Sequence, residues 1–227
     1  MNRPAISIIL PFYNRNSFLR EAIVSIINQD FKDIEIIAVD DGSTDGSAEI
    51  IAEFSQNNIH LIVQENRGAA SARNAGIHAA SGKFITFLDS DDIWTPNKLS
   101  AQLKAFNHLS DKTMHFGHIQ EFISPEFIES KDSFKARHMP GYSLITLFML
   151  RTEFLRIGEF DVSYKLAEFV EWFQRAKNMG YSTQLAADIY AFRRIHQGNV
   201  GRKISSNAFQ YLHALKSSLD QRRKLGE

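Results

Sequence analysis

FITFLDSDDIWTP, residues 84–96, joins an apolar run to three carboxylates within four positions, and then to an aromatic, a threonine and a proline. An unbroken apolar run of this kind reads as a strand buried on both faces, the habit of a parallel sheet covered by helices. The carboxylates stand where that strand ends, and two readings of them are open. Asp89, Ser90 and Asp92 could form a polar turn before a helix. Alternatively Asp89 and Asp91, two positions apart, hold a cation. Mg2+ and Mn2+ favour carboxylate oxygens, and Mg2+ commonly takes one or two of them beside substrate phosphates. Thr95 followed by Pro96 reads as an N-cap and a first helical position, so the carboxylates are not needed as caps.

Three more strand-like runs precede this one. ISIILPF (6–12), IEIIAV (34–39) and IHLIVQ (59–64) alternate with helical stretches. Leu19, Ile23, Ile26 and Ile27 recur at helical spacing behind Asn16 or Ser17 as N-cap. AEIIAEFSQ follows the second strand, and a small-residue helix at 69–80, stopped by Gly82, follows the third. Strands separated by helices predict a parallel sheet with right-handed crossovers. Ligands of such sheets bind at the carboxyl ends of the strands. FYNRN, DDGSTD, ENRG and DSDD all fall at those ends, so four polar clusters share one rim.

The second half is less regular. The reading is a strand at 114–124, a mobile loop at 125–141, a short helix capped by Thr152, a helix from Glu168 to Met179 ended by Gly180, and a strand in IYAFRRIH. An amphipathic helix is expected after Gly201, and a soft boundary near residue 110 separates halves 1–110 and 111–227 of one continuous domain. Composition adds exclusions. Twenty-six Lys and Arg balance 26 Asp and Glu, so no basic excess suggests nucleic acid. There is no cysteine, which removes disulfides, thiolate metal sites and cysteine nucleophiles. The longest late apolar run, LITLFML, is far short of the roughly 20 residues that span a bilayer, and the expectation is a cytoplasmic protein, with a membrane surface left open as a place of association.

The rim clusters carry candidate chemistry. Asp40 and Asp41 end a buried strand, where a carboxylate can accept hydrogen bonds from a ribose or base edge; a turn is the competing reading. Thr44 or Asp45 reads as the cap of the following helix. Tyr13 at the rim could stack on a base or simply pack. Arg67 and Arg73 flank a helix start, where guanidiniums favour phosphate, although either alone reads as a surface arginine. Glu168 and Glu171, three apart, share a helix face; each is a general-base candidate or a dipole-favoured acidic helix start.

Taken together, SIILPFYNR, IIAVDDGSTDGS, ENRGAASARNAGIHAASGKFITFLDSDDIWTPNKL, IGEFDVSYKLAEFVEWFQRA and RRIHQGN resemble, in order, the motifs of the family 2 glycosyltransferases. The resemblance implies a GT-A fold: an α/β, Rossmann-like, mostly parallel sheet flanked by helices, with a smaller acceptor-side portion. It also implies an inverting transfer from a nucleoside-diphosphate sugar, a UDP-sugar by family habit, to a carbohydrate or glycoconjugate hydroxyl. Tyr13 and Asp41 would contact the base, with Pro11 shaping its pocket. Arg73 and Asp89 would lie near the sugar nucleotide. Asp91 would be the main ligand of Mg2+ or Mn2+, with His196 as a second. One position departs from the pattern. Many relatives carry Glu-Asp where this chain has Glu168 followed by Phe169, and the aspartate is the usual base. Glu168 is then the first candidate for that role and Glu171 the second. The alternative is a sugar-nucleotide-binding protein that transfers slowly or not at all. A nucleotidyltransferase would want a glycine-rich basic loop after the first strand, and FYNRN has no glycine.

Overall fold

A computed structural model describes residues 3–124, 136–196 and 199. β1 (Ile6–Phe12) and β2 (Ile34–Asp40) are buried at every position, as their unbroken apolar runs require. β3 (Ile59–Val63) pairs only on its β2 side and leaves Leu61 and Val63 exposed. β4 (Phe84–Phe87) lies on the other side of β1, and β1, β2, β3 and β4 are mutually parallel. α1 (Asn16–Ile27), α2 (Ser47–Glu53) and α3 (Ala69–Ala79) are the crossovers between them. α4 (Lys98–Phe106) leads into the second half.

The second half continues the same sheet. β5 (Ile93–Trp94), β6 (Thr113–Ile123), β7 (His138–Pro140), β8 (Phe148–Leu150) and β9 (Ser182–Ile195) complete nine strands in the order β3-β2-β1-β4-β8-β6-β9-β5, with β7 beside β6. β8 is antiparallel to β4 and to β6, and β9 is parallel to β6. Two reversals restore the original direction, so β1, β2, β4, β6 and β9 all send their carboxyl ends to one edge. α5 (Arg151–Ile157) and α6 (Glu168–Asn178) pack near that half.

Strand alternation divides the core in two. Ile6, Ile8 and Leu10 meet Leu19, Ile23 and Ile26 of α1, Ile50 of α2 and Leu99 of α4 on one face. Ile9, Ile37 and Val39 meet Ala72 and Ile77 of α3, Phe154 of α5 and Trp172 of α6 on the other. α3 is built from small residues because it lies hard against β1. A Cβ at Gly76 would sit 2.6 Å from Ile9 Cγ2.

Several local expectations are corrected. Thr95 does not cap α4: its hydroxyl donates to the Ile189 carbonyl at 3.0 Å, and the helix starts three residues later at Lys98. Strand β5, absent from the sequence reading, inserts at 93–94 and pairs with β9, drawing Thr95 with it. Thr152 lies inside α5 rather than at its cap. Asn16 is the first residue of α1, and its N–H donates to the Asp45 carboxylate at 3.0 Å. Asp45 also accepts the Ser47 N–H at 3.0 Å, so this one side chain serves the starts of both α1 and α2. Within the expected loop, residues 138–140 form β7; 125–135 and the helix expected after Gly201 lie outside the described residues.

A buried polar network under the sheet gives a pH prediction. Lys98 is fully buried, with Nζ 3.9 Å over the Trp94 ring and donating to Thr86 Oγ1 at 2.9 Å. His115 Nδ1 stands 3.1 Å from the Gln102 amide nitrogen, which also donates to the Thr146 carbonyl at 2.8 Å. Burial, and then the Lys98 charge, pull the His115 imidazole down to about 4 from its ordinary 6.5. The folded state therefore holds His115 neutral while the unfolded chain takes up a proton below pH 6.5. Stability is lost as pH falls from 6.5 to 4, by up to about 3 kcal/mol from this group alone. In urea unfolding across that window, His115→Gln is expected to flatten the pH dependence. An unchanged slope would remove His115 as its source.

Candidate active site

A cleft of about 520 Å3 opens at the shared carboxyl edge, lined by residues from the ends of β1, β2, β4 and β9, the start of α3 and the start of α6. Of the residues proposed from sequence, Pro11, Tyr13, Asp41, Arg73, Asp89, Asp91 and Glu168 line it. Tyr13 is 44% exposed, an aromatic ring left open at the mouth.

Asp41 organises one wall. Its carboxylate accepts from Gln64 Nε2 at 2.7 Å, from the Arg67 N–H at 2.9 Å and from the Gly68 N–H at 2.8 Å. These bonds fix the loop entering α3. Gly42 lets the neighbouring turn approach: its φ is +82°, and a Cβ there would meet Asn66 N at 3.0 Å. Asp40 is not among the lining residues; its carboxylate accepts the Ser43 N–H at 2.8 Å and closes the turn after β2. The turn reading of this pair is met at Asp40, while Asp41 lines the cleft with its carboxylate bonded to the loop entering α3.

The floor is the DSDD turn. Asp91 Oδ2 lies 3.0 Å from His196 Nε2 and 3.8 Å from Arg15 Nε. Burial alone would push the Asp91 carboxyl up, but the His196 hydrogen bond and the Arg15 charge hold it below the ordinary range. Asp92 is pushed well above that range, by burial first and then by the Asp91 and Asp89 charges. Arg194 braces the turn from β9. Its N–H donates to Asp92 Oδ1 at 2.8 Å, its Nε to the Asp91 carbonyl at 3.0 Å and its Nη2 to Glu21 at 2.7 Å. Phe18 and Phe122 flank the guanidinium at 5.0 and 4.6 Å.

The far wall is a buried chain of charges. Arg73 Nη1 donates to Glu168 Oε1 at 2.6 Å and Nη2 to Asp89 Oδ1 at 2.7 Å. Arg73 Nε and Glu168 Oε2 are buried without a hydrogen-bond partner. Glu171 turns elsewhere: it pairs with Arg175 one turn along α6, 2.9 Å away, and does not line the cleft. Phe169 stacks toward Trp172 and packs against Phe116 and Phe173.

Sequence reading missed Arg15, Asn66, Lys165 and Arg193 as lining residues. Arg15 sits in the quoted FYNR and Arg193 in RRIH, but a single cation in a motif looks like a surface cation until the strand ends are brought together. Lys165, in SYKLAEF, carries no such signal.

Among the described residues no group of three or more His, Cys, Asp or Glu side chains could hold a metal ion. His196 is buried behind Asp91 and does not itself line the cleft, but its Nε2 lies 3.0 Å from Asp91 Oδ2, so an anionic oxygen and an imidazole nitrogen stand side by side at the cleft floor. A carboxylate and an imidazole are donors that a divalent cation can take, and two of them leave most of its positions to other ligands.

A parallel sheet with a carboxylate-lined cleft at its strand ends and a mixed second half defines a GT-A type fold. The chain belongs to the glycosyltransferase family 2: that family's model, described as "Glycosyl transferase family 2", matches residues 7–162. An uncharacterized glycosyltransferase, RP339, of Rickettsia prowazekii is 36% identical over 186 residues, covering 75% of this chain and 58% of its own. Another uncharacterized glycosyltransferase, of Haemophilus influenzae, is 46% identical over 114 residues, covering 48% of this chain and 46% of its own. The chain thus spans about half the length of these relatives. Among solved structures, S. aureus TarS 1-349 in complex with UDP-GlcNAc superposes with a TM-score of 0.75 at 22% identity, covering 94% of this chain and 65% of that one. The mannosyltransferase PcManGT of Pyrobaculum calidifontis, in complex with GDP-Man and Mn2+, gives 0.68 at 20% identity, covering 89% of this chain and 60% of that one. Among the described residues no helix is long and apolar enough to cross a membrane.

Proposed function

We propose that the chain transfers a sugar from a nucleoside-diphosphate sugar, a UDP-sugar in the first instance, to a carbohydrate or glycoconjugate hydroxyl with inversion. The observation that carries this reading is Asp91 on the floor of the cleft, with Arg15 beside it and the buried His196 behind it, under a mouth that offers an open tyrosine. The base would lie between Tyr13 and the Asp41 wall, over Pro11. Arg15 and Arg193 reach the cleft as cations able to meet a diphosphate. Asp91 and His196 would hold Mn2+ or Mg2+, which when bound offsets the charge of the departing diphosphate. The imidazole nitrogen in that donor set favours Mn2+ over Mg2+.

Asp89 and Arg73 then face the sugar. Glu168 stands beside them with Oε1 held by Arg73 and Oε2 unpaired. Oε2 is the oxygen without a partner, and a shift of the side chain that opens it to the cleft would let it take the proton of an acceptor hydroxyl attacking the face opposite the diphosphate. A second reading, sugar-nucleotide binding with little transfer, is favoured by Phe169 and separated from the first by turnover.

Calorimetric titration of UDP-, GDP- and dTDP-sugars with and without Mn2+ tests donor binding. One donor is expected to bind only with metal, and Asp91→Ala is expected to abolish it. No binding of any donor to folded protein, or binding indifferent to both Mn2+ and Asp91, would overturn the reading.

A further inference from the structure

Two histidines outside the cleft carry a second inference. β6 and β7 are antiparallel neighbours, with Ile119 opposite Met139 and Gln120 opposite His138. Ile119 and Met139 pack into the core. Strand alternation therefore turns His118 and His138 to the opposite face of the ribbon. They are diagonal neighbours across the pair, a spacing that long side chains can bridge. His118 Nδ1 and His138 Nε2 stand 2.9 Å apart, with ring centroids 4.8 Å apart and ring planes 65° to one another. Neither residue lines the cleft.

We propose that His118 and His138 form a two-histidine site for a late first-row divalent cation, Cu2+ before Ni2+ or Zn2+. The two ring nitrogens are hydrogen-bonded at 2.9 Å, and that separation is also the one a chelated ion would need. Metal–imidazole bonds run about 2.0–2.1 Å, and two such bonds meeting at a right angle place their nitrogens about 2.9 Å apart. A right angle between adjacent ligands is the square-planar or octahedral arrangement; a tetrahedral ion would need the nitrogens about 3.3 Å apart. Tetragonal nitrogen and oxygen sites suit Cu2+ and Ni2+, and Cu2+ stands at the top of the divalent affinity order. Binding would replace the proton shared by the two rings, and water would fill the other positions. Mn2+ stands at the bottom of that order. The histidine pair and the carboxylate floor of the cleft therefore select different metals.

The consequence is local. β7 pairs with β6 over only three residues, and a bound ion would add a cross-strand link to that short ladder.

Cu2+ alone, without nucleotide, is titrated into the full chain carrying Asp91→Ala, which removes the cleft carboxylate. The bound ion is read by the nitrogen hyperfine pattern in its electron paramagnetic resonance spectrum. One equivalent with two imidazole nitrogens is expected. His118→Ala and His138→Ala should each lose the two-nitrogen pattern, whereas His60→Ala, at another exposed position, should keep it. A two-nitrogen pattern that survives in either variant, or that is absent from the parent, overturns the proposal. The outcome is independent of donor binding, since neither sugar nucleotide nor Mn2+ enters the experiment.

Discussion

Glu168→Gln is expected to lower sugar transfer about 100- to 10,000-fold while leaving donor affinity within a few-fold of wild type. The substitution keeps the shape of the side chain and an oxygen for Arg73 Nη1, so the wall of the cleft is preserved. It removes only the capacity of the second oxygen to accept a proton. A binding role would give the opposite pattern, with donor affinity falling and turnover at saturation unchanged. Single-turnover kinetics with a saturating donor separate the two. Turnover equal to wild type would mean that Glu168 is not the base. Phe169→Asp supplies the complementary arm. The family resemblance implies a carboxylate at that position, but here the ring packs against Phe116, Phe173 and Trp172. An aspartate there would enter a surrounding of aromatic rings and would lose the packing of the phenylalanine. The expected result is lower stability without a gain in transfer. A large gain would show instead that the chain had lost its base with the phenylalanine.

How much of this was legible in the sequence depends on how local each signal is. β1, β2 and α1 could be read because burial on both faces writes an unbroken apolar run, and one buried face writes a helical period. β5 could not: two residues make no pattern, and their strand character comes from β9, which is nearly a hundred residues later. β8 hides inside LITLFML for the same reason, since a three-residue strand between β4 and β6 looks like any apolar run. Thr95 was misread because Thr-Pro is a fair cap signal locally, while the hydroxyl is claimed by the Ile189 carbonyl through the fold. Glu171 fits the same-face spacing with Glu168, yet the choice between cleft and surface was decided by Arg175, four residues on. The DSDD turn was the most legible part of the site. Its carboxylates are in excess of what a turn needs, and that excess could be seen without any partner. What the sequence could not show is that the Asp92 carboxylate accepts the Arg194 backbone N–H, because only the return of β9 decides it.

Arg73→Met is expected to be the most destabilising single change in the site, at about 3 kcal/mol in urea unfolding, the low end of the range for breaking a buried ion pair by removing one partner. Arg73 is buried and holds two carboxylates on separate nitrogens. Without it both are left unpaired, but unequally. The Asp89 side chain is 36% exposed and can recover water, whereas that of Glu168 is 9% exposed and cannot. Most of the cost therefore falls on Glu168, which sets the estimate at the low end and gives a second, sharper expectation. Adding Glu168→Gln to Arg73→Met should restore much of the loss, because the charge that was stranded is gone; adding Asp89→Asn should restore little. If the two rescues were equal, the cost would lie in lost packing of the arginine stem rather than in an unpaired buried charge. Arg73→Lys should not substitute. A guanidinium spans two carboxylates with two nitrogens in a fixed plane, and a single ammonium can satisfy one of them only by abandoning the other. The same geometry ties stability to chemistry: the guanidinium that anchors Glu168 through Oε1 leaves Oε2 as the carboxylate oxygen without a protein partner.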